Sequence, residues 1–137
     1  MRPIAALIIA LAALPAMAQT LQAPDVAARL KAIDDAYPRC MDASNGSNPE
    51  WAACGGERIA ADEALLNELW PQVYGPMEGE AKKALLAEQR AWITYKDKSC
   101  LWWLDGYGRE GQVVHYPLCR SGVIEDRIRQ LNEMGDS

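Results

Sequence analysis

Apolar positions between residues 25 and 134 recur at helical spacing, and no stretch alternates as a half-buried strand would. The pattern predicts four helices. The first runs from about Asp25 to Tyr37, with Val26, Leu30, Ile33 and Tyr37 on one face and Pro38 as its stop. Residues 38–56 carry Asn45-Gly46-Ser47-Asn48-Pro49 and Gly55-Gly56 and read as a long loop, with Trp51 folding back onto the core. The second helix runs from about Glu57 to Tyr74 on a stripe of Ile59, Leu66, Leu69 and Val73, with Leu65 and Trp70 at its margins. Pro71 is expected to kink or end it near Trp70, and Gly75-Pro76 breaks the chain.

The third helix, from about Gly79 to Leu104, has the strongest pattern. Leu85, Trp92, Ser99 and Trp103 form one row, and Leu86, Ile93, Cys100 and Leu104 the next. Lys82, Lys83, Glu88 and Lys98 then face water. Residues 105–116 hold three glycines without periodicity and read as a surface loop. The fourth helix runs from about Pro117 to Met134, with Val123, Ile124, Ile128 and Leu131 as its stripe and Gly122 weakening its first turns. Four helices with one apolar face each bury those faces against one another. The expected fold is therefore all-α, a small four-helix bundle in which the second and third helices form an antiparallel hairpin.

The N-terminus has a separate pattern. Arg2 precedes an apolar run from Ile4 to Leu14, then Pro15 and the small-x-small triplet Ala16-Met17-Ala18. This is the grammar of a cleaved export signal over residues 1–18, with the helical domain in 19–137. The run is shorter than the roughly 20 apolar residues that span a bilayer. No later segment is apolar enough to span one. Cleavage leaves 119 of the 137 residues and, with Arg2 gone, a formal charge of −6 in place of −5. The expected location is the periplasm or the outside of the cell. The acidic balance excludes a basic nucleic-acid binder.

Export changes how the four cysteines read. Cys40, Cys54, Cys100 and Cys119 form an even set in an oxidising compartment, which implies two disulfides in one of three pairings. Cys40–Cys54 and Cys100–Cys119 are favoured, because each pair flanks one polar, glycine-containing segment. Each closes a loop of 15 to 20 residues, worth about 3 kcal/mol on a chain-entropy account. His115 is the one imidazole and Cys-x-x-Cys is absent, so neither a metal site nor a redox motif is expected. No cofactor motif is present.

The central run is Gln89-Arg90-Ala91-Trp92-Ile93-x-Tyr95-Lys96-Asp97-x-x-Cys100. With it go Ala61-Asp62, Leu66-Asn67, the spacing of Cys40 and Cys54, and Cys119 followed by Arg127 and Leu131. Over roughly residues 36–131 this resembles the LprI-like lysozyme inhibitor family of small exported bacterial domains. Trp70 and Ile124 stand where that family usually has tyrosine and threonine, and the segment before Cys119 is reshaped. The resemblance implies a disulfide-bonded helical fold and, for some members, inhibition of lysozyme.

The polar residues of the third helix divide between two roles. Gln89, Asp97 and Arg127 are expected to form a structural polar network, with Asp97 and Arg127 meeting as a salt bridge. Trp92 is assigned to the core. Trp102 and Trp103 are adjacent and cannot share a helix face, so one of them reaches the surface. Trp102, Tyr107, Glu110 and His115 make the candidate partner-binding loop. Glu57, Asp62, Glu63, Glu78, Glu80 and Glu88 supply carboxylates enough for a glycosidase pair, but none is singled out, and no catalytic residue is assigned. The function expected is that of an exported non-catalytic binding protein whose partner is lysozyme. The alternative is an envelope accessory domain that binds peptidoglycan fragments or another envelope protein.

Overall fold

The structure, a computed structural model, describes residues 23–135, so the expected leader over residues 1–18 lies outside the described residues. Its elements are α1 (Ala23–Ala43), α2 (Asn48–Tyr74), α3 (Gly79–Lys98), α4 (Trp102–Gly106), α5 (Gly108–Glu110), a π-helical turn π1 (Gly111–His115) and α6 (Tyr116–Gly135). No strand occurs among the described residues. No helix among them is long and apolar enough to cross a membrane.

Cross-helix contacts set the directions of the four long helices. Arg29 pairs with Glu68 and Cys40 bonds to Cys54, so α1 runs antiparallel to α2. Lys82 lies over the Tyr74 ring and Lys96 pairs with Glu63, so α3 runs antiparallel to α2. Asp62 meets Ser121, and Gly55 lies against Pro117, so α6 runs parallel to α2. The result is an up-down-up-down bundle. The close approach of α2 and α6 depends on Gly55: a Cβ there would lie 2.6 Å from the Pro117 ring.

The core joins Val26 and Leu30 of α1, Leu65, Leu66, Leu69 and Val73 of α2, Leu85 of α3, and Ile124, Ile128 and Leu131 of α6. Leu65, placed at a stripe margin by the sequence pattern, is fully buried, while Ile59 is only partly so. Trp92 packs partly buried against this core. The stripe of α3 is much narrower than expected: Leu85 and Gln89 are its buried residues, and Ile93 is exposed.

Several boundaries differ from the sequence expectation. Pro38 lies inside α1 and Pro71 inside α2. Each removes one backbone hydrogen bond, a local cost of about 3 kcal/mol. Contacts on either side of each proline outweigh that cost. Tyr37 stacks under Arg58 and Cys40 is tied to α2, while Val73 is in the core. The expected loop over residues 38–56 shrinks to the turn between Ala43 and Asn48, because Pro49 sits in the first turn of α2, where a missing N–H costs nothing. Trp51 folds back onto that turn rather than onto the core, its indole N–H donating to Ser44 Oγ at 3.0 Å.

The third helix ends at Lys98, not Leu104. Ser99 is extended and Cys100 takes φ +68°, which turns the chain out of the helix. Arg120 finishes this end by donating to the Lys96 carbonyl, a cation placed at the negative end of the helix dipole. Residues 105–116, expected as loop, are helical in short pieces that lead directly into α6.

Candidate functional site

The site is built by the segment between α3 and α6. Cys100, buried and bonded to Cys119, anchors the reversal after α3. The first turn after it is closed by Trp103 N–H donating to the Cys100 carbonyl at 3.0 Å. At π1 the chain widens, with Tyr116 N–H reaching back to the Gly111 carbonyl. Gly111 makes the fold-back possible. A Cβ there would lie 2.4 Å from the Trp103 carbonyl oxygen and 2.6 Å from Tyr107 Cβ.

This geometry gathers three rings around Trp103. Trp102 lies on it with centroids 4.2 Å apart, His115 stacks at 4.4 Å, and Tyr107 is tilted against it at 4.5 Å. Trp102 and Tyr107 meet edge to face at 5.3 Å. His115 Nε2 lies 3.7 Å from Glu110 Oε1, an ion pair when the imidazole is protonated. Trp103 is half-buried, whereas Trp102 and Tyr107 are 55% and 54% exposed. Leu101 and Leu118, each next to a cysteine of the Cys100–Cys119 disulfide, are also exposed. The structure thus brings together the four candidate residues Trp102, Tyr107, Glu110 and His115. Trp103, the ring at their centre, is expected from the sequence on the buried stripe of the third helix, but that helix ends at Lys98 and Trp103 lies in α4 instead.

The polar network is rearranged. Asp97 does not meet Arg127; it accepts from Arg120 at 2.9 Å, and that hydrogen bond holds its carboxyl below the ordinary value of 3.8. Arg127 turns instead to α3, donating from Nε to Gln89 Oε1 at 2.8 Å and from Nη1 to Glu88 and Gln130. The two residues lie on different turns of the α3–α6 seam, so each carboxylate takes the arginine at its own level.

A second network was not foreseen. Asp62 and Ser121 are fully buried between α2 and α6. Ser121 Oγ donates to Asp62, and Arg58 Nε donates to Ser121 Oγ at 2.7 Å. Arg58 also pairs with Asp34 and with Glu125, the latter at 2.7 Å, and Arg129 pairs with Glu125 at 2.9 Å. Burial pushes the Asp62 carboxyl up to about 6, and the nearby Glu125 carboxylate adds to the shift. Burial also acts to raise Glu125, but hydrogen bonds from Arg58 and Arg129 outweigh it and leave that carboxyl below its ordinary 4.5. Asp62 and Ser121 have no exposed surface, so no substrate reaches them, and the network is structural. The signal that could have revealed it is register. Asp62 continues the buried row of Leu65, Leu66, Leu69 and Val73, and Ser121 that of Ile124, Ile128 and Leu131.

The described residues thus form a helical bundle with two disulfides and an exposed aromatic cluster on the segment between α3 and α6. The chain belongs to the family described as Lysozyme inhibitor LprI, which matches residues 40–131 and so takes in all four cysteines and the aromatic cluster. At the level of the family it is a lysozyme-inhibitor-like binding protein. Neither the curated proteins nor the solved structures gave a match.

Proposed function

We propose that this chain is an exported, non-catalytic lysozyme inhibitor that blocks its partner's sugar-binding cleft with the Trp102–Tyr107 edge. The observation that carries the reading is the packing of these two exposed rings against Trp103, Trp102 stacked and Tyr107 tilted, with Trp103 itself stacked on His115. Rings fixed before contact lose little conformational entropy on binding, and tryptophan and tyrosine are the side chains most enriched at binding hot spots. Their faces suit a surface shaped to hold sugar rings. Glu110, 3.7 Å from the stacked His115, places a carboxylate beside the rings, and an acidic chain is steered toward a cationic lysozyme, faster at low salt. Export follows from the signal-like pattern of residues 1–18 and from disulfides that need an oxidising compartment.

The test is a cell-wall lysis assay in which oxidised residues 19–137 are titrated into a C-type lysozyme at low and moderate salt. Near-stoichiometric inhibition is expected. Trp102→Ala with Tyr107→Ala should weaken it at least tenfold while the melting temperature holds. Unchanged inhibition by the double variant moves the contact away from these rings. No inhibition by the native chain at large excess removes the lysozyme reading.

A further inference from the structure

A groove of about 350 Å³ lies between α1 and α2, on a different part of the chain from the aromatic cluster. Its walls are Ala32, Ile33 and Ala36 of α1 and Ala61 of α2, closed at one end by the Cys40–Cys54 disulfide. Its depth comes from residue size. Nearer the other end of the same two helices, Val26, Leu30, Leu65 and Leu69 fill the space between them, whereas the groove has alanines.

Three polar side chains line the groove, and their states differ: Tyr37 has a buried hydroxyl without a hydrogen-bond partner among the described residues. Arg58 is already engaged by Asp34, Glu125 and Ser121, so it is not free to hold an anion. Glu57 is exposed and has no ion-pair partner among the described residues. Other carboxylates of α2 are already engaged, Glu63 by Lys96, Glu68 by Arg29 and Asp62 by Ser121, which leaves Glu57 as the unpaired charge at the groove. An apolar trough with an uncompensated carboxylate at its mouth matches lysine and arginine, whose aliphatic stems pack on apolar surface while the charged head stays at the rim. The volume, at the lower end of ligand-pocket sizes, suits one or two side chains.

We propose that this groove docks a basic segment of a partner protein, one that alternates apolar side chains with lysine or arginine. The assignment does not depend on lysozyme being the partner of the aromatic cluster.

The experiment follows the alanine methyl signals of the oxidised chain during titration with a capped peptide of alternating lysine and leucine. A glutamate–leucine peptide of equal length serves as the control. Saturable shifts at Ala32, Ala36 and Ala61 are expected with the basic peptide alone. Glu57→Lys should weaken binding about tenfold, and Ala36→Leu, which fills the groove from an exposed position, should abolish it with the fold intact. Trp102→Ala should leave it unchanged. Silent methyls, equal binding of the acidic peptide, indifference to Ala36→Leu, or loss with Trp102→Ala would each overturn the proposal. The last outcome would place the peptide on the aromatic cluster.

Discussion

Arg127→Ala is expected to lower the melting temperature by on the order of 10 °C through loss of a buried contact across the α3–α6 seam. Arg127 is 2% exposed, and its guanidinium lies 5.9 Å from the centre of the Trp92 ring while it donates to Gln89 and Glu88. Truncation leaves the buried Gln89 carbonyl without a donor and opens a hole against Trp92. Breaking a buried charged contact from one side costs about 3 kcal/mol, and a domain of this size loses a few degrees for each kcal/mol. Arg127→Lys should recover only part of the loss, because an ammonium cannot reproduce the guanidinium fork. Thermal unfolding at pH 7 checks this. On the proposed function, lysozyme inhibition by the folded fraction should be unchanged, since the rings lie between Trp102 and His115, away from Arg127. A shift below about 2 °C would mean that Arg127 does not secure α3, whatever the fold-level logic of such contacts.

Asp62→Asn is expected to act in the opposite direction. The folded carboxyl binds its proton near 6 and the unfolded one near 3.8. A raised carboxyl pKa means that the folded state holds more protons through this window, so stability rises as pH falls from about 7 to 4 and levels off below. Above pH 7 the protein bears the full cost of a buried carboxylate. A shift of about two units corresponds to roughly 3 kcal/mol. Asparagine removes that charge but weakens the Ser121 hydrogen bond, so the net gain at pH 8 should be about 1–2 kcal/mol. Denaturant unfolding at pH 5 and pH 8 separates the two proteins. The native chain should be more stable at pH 5, and the variant should show little difference. A native chain that loses stability between pH 8 and pH 5 would contradict this account.

The parts of the fold that were legible in the sequence are those where burial alone chose the residue. Leu66, Leu69 and Val73, and likewise Ile124, Ile128 and Leu131, mark their helices by spacing and stay in the core. Prolines misled because their local cost is visible in sequence and the compensation is not. Pro38 reads as a stop until Cys40 is seen bonded to Cys54 across the helix pair. Gly55 and Gly111 read as loop residues, yet each is small because another segment lies against it. The aromatic candidates were legible as chemistry, but not as an assembly, since stacking His115 on Trp103 requires the reversal at Cys100 and the widened turn. Asp62 and Ser121 lie 59 residues apart, and nothing local in either signals its partner.

The narrow attachment of α3 has a dynamic consequence. Along 20 residues it buries only Leu85 and Gln89, while both of its ends are fastened, one by the turn from α2 and the other by the Cys100–Cys119 crosslink. Such a segment is expected to open as its own foldon without unfolding α2 and α6. Amide protons near Leu85 to Trp92 should therefore exchange with solvent through a lower-energy opening than those near Leu65 or Ile128. The bundle is a stable three-helix frame carrying a hinged fourth helix.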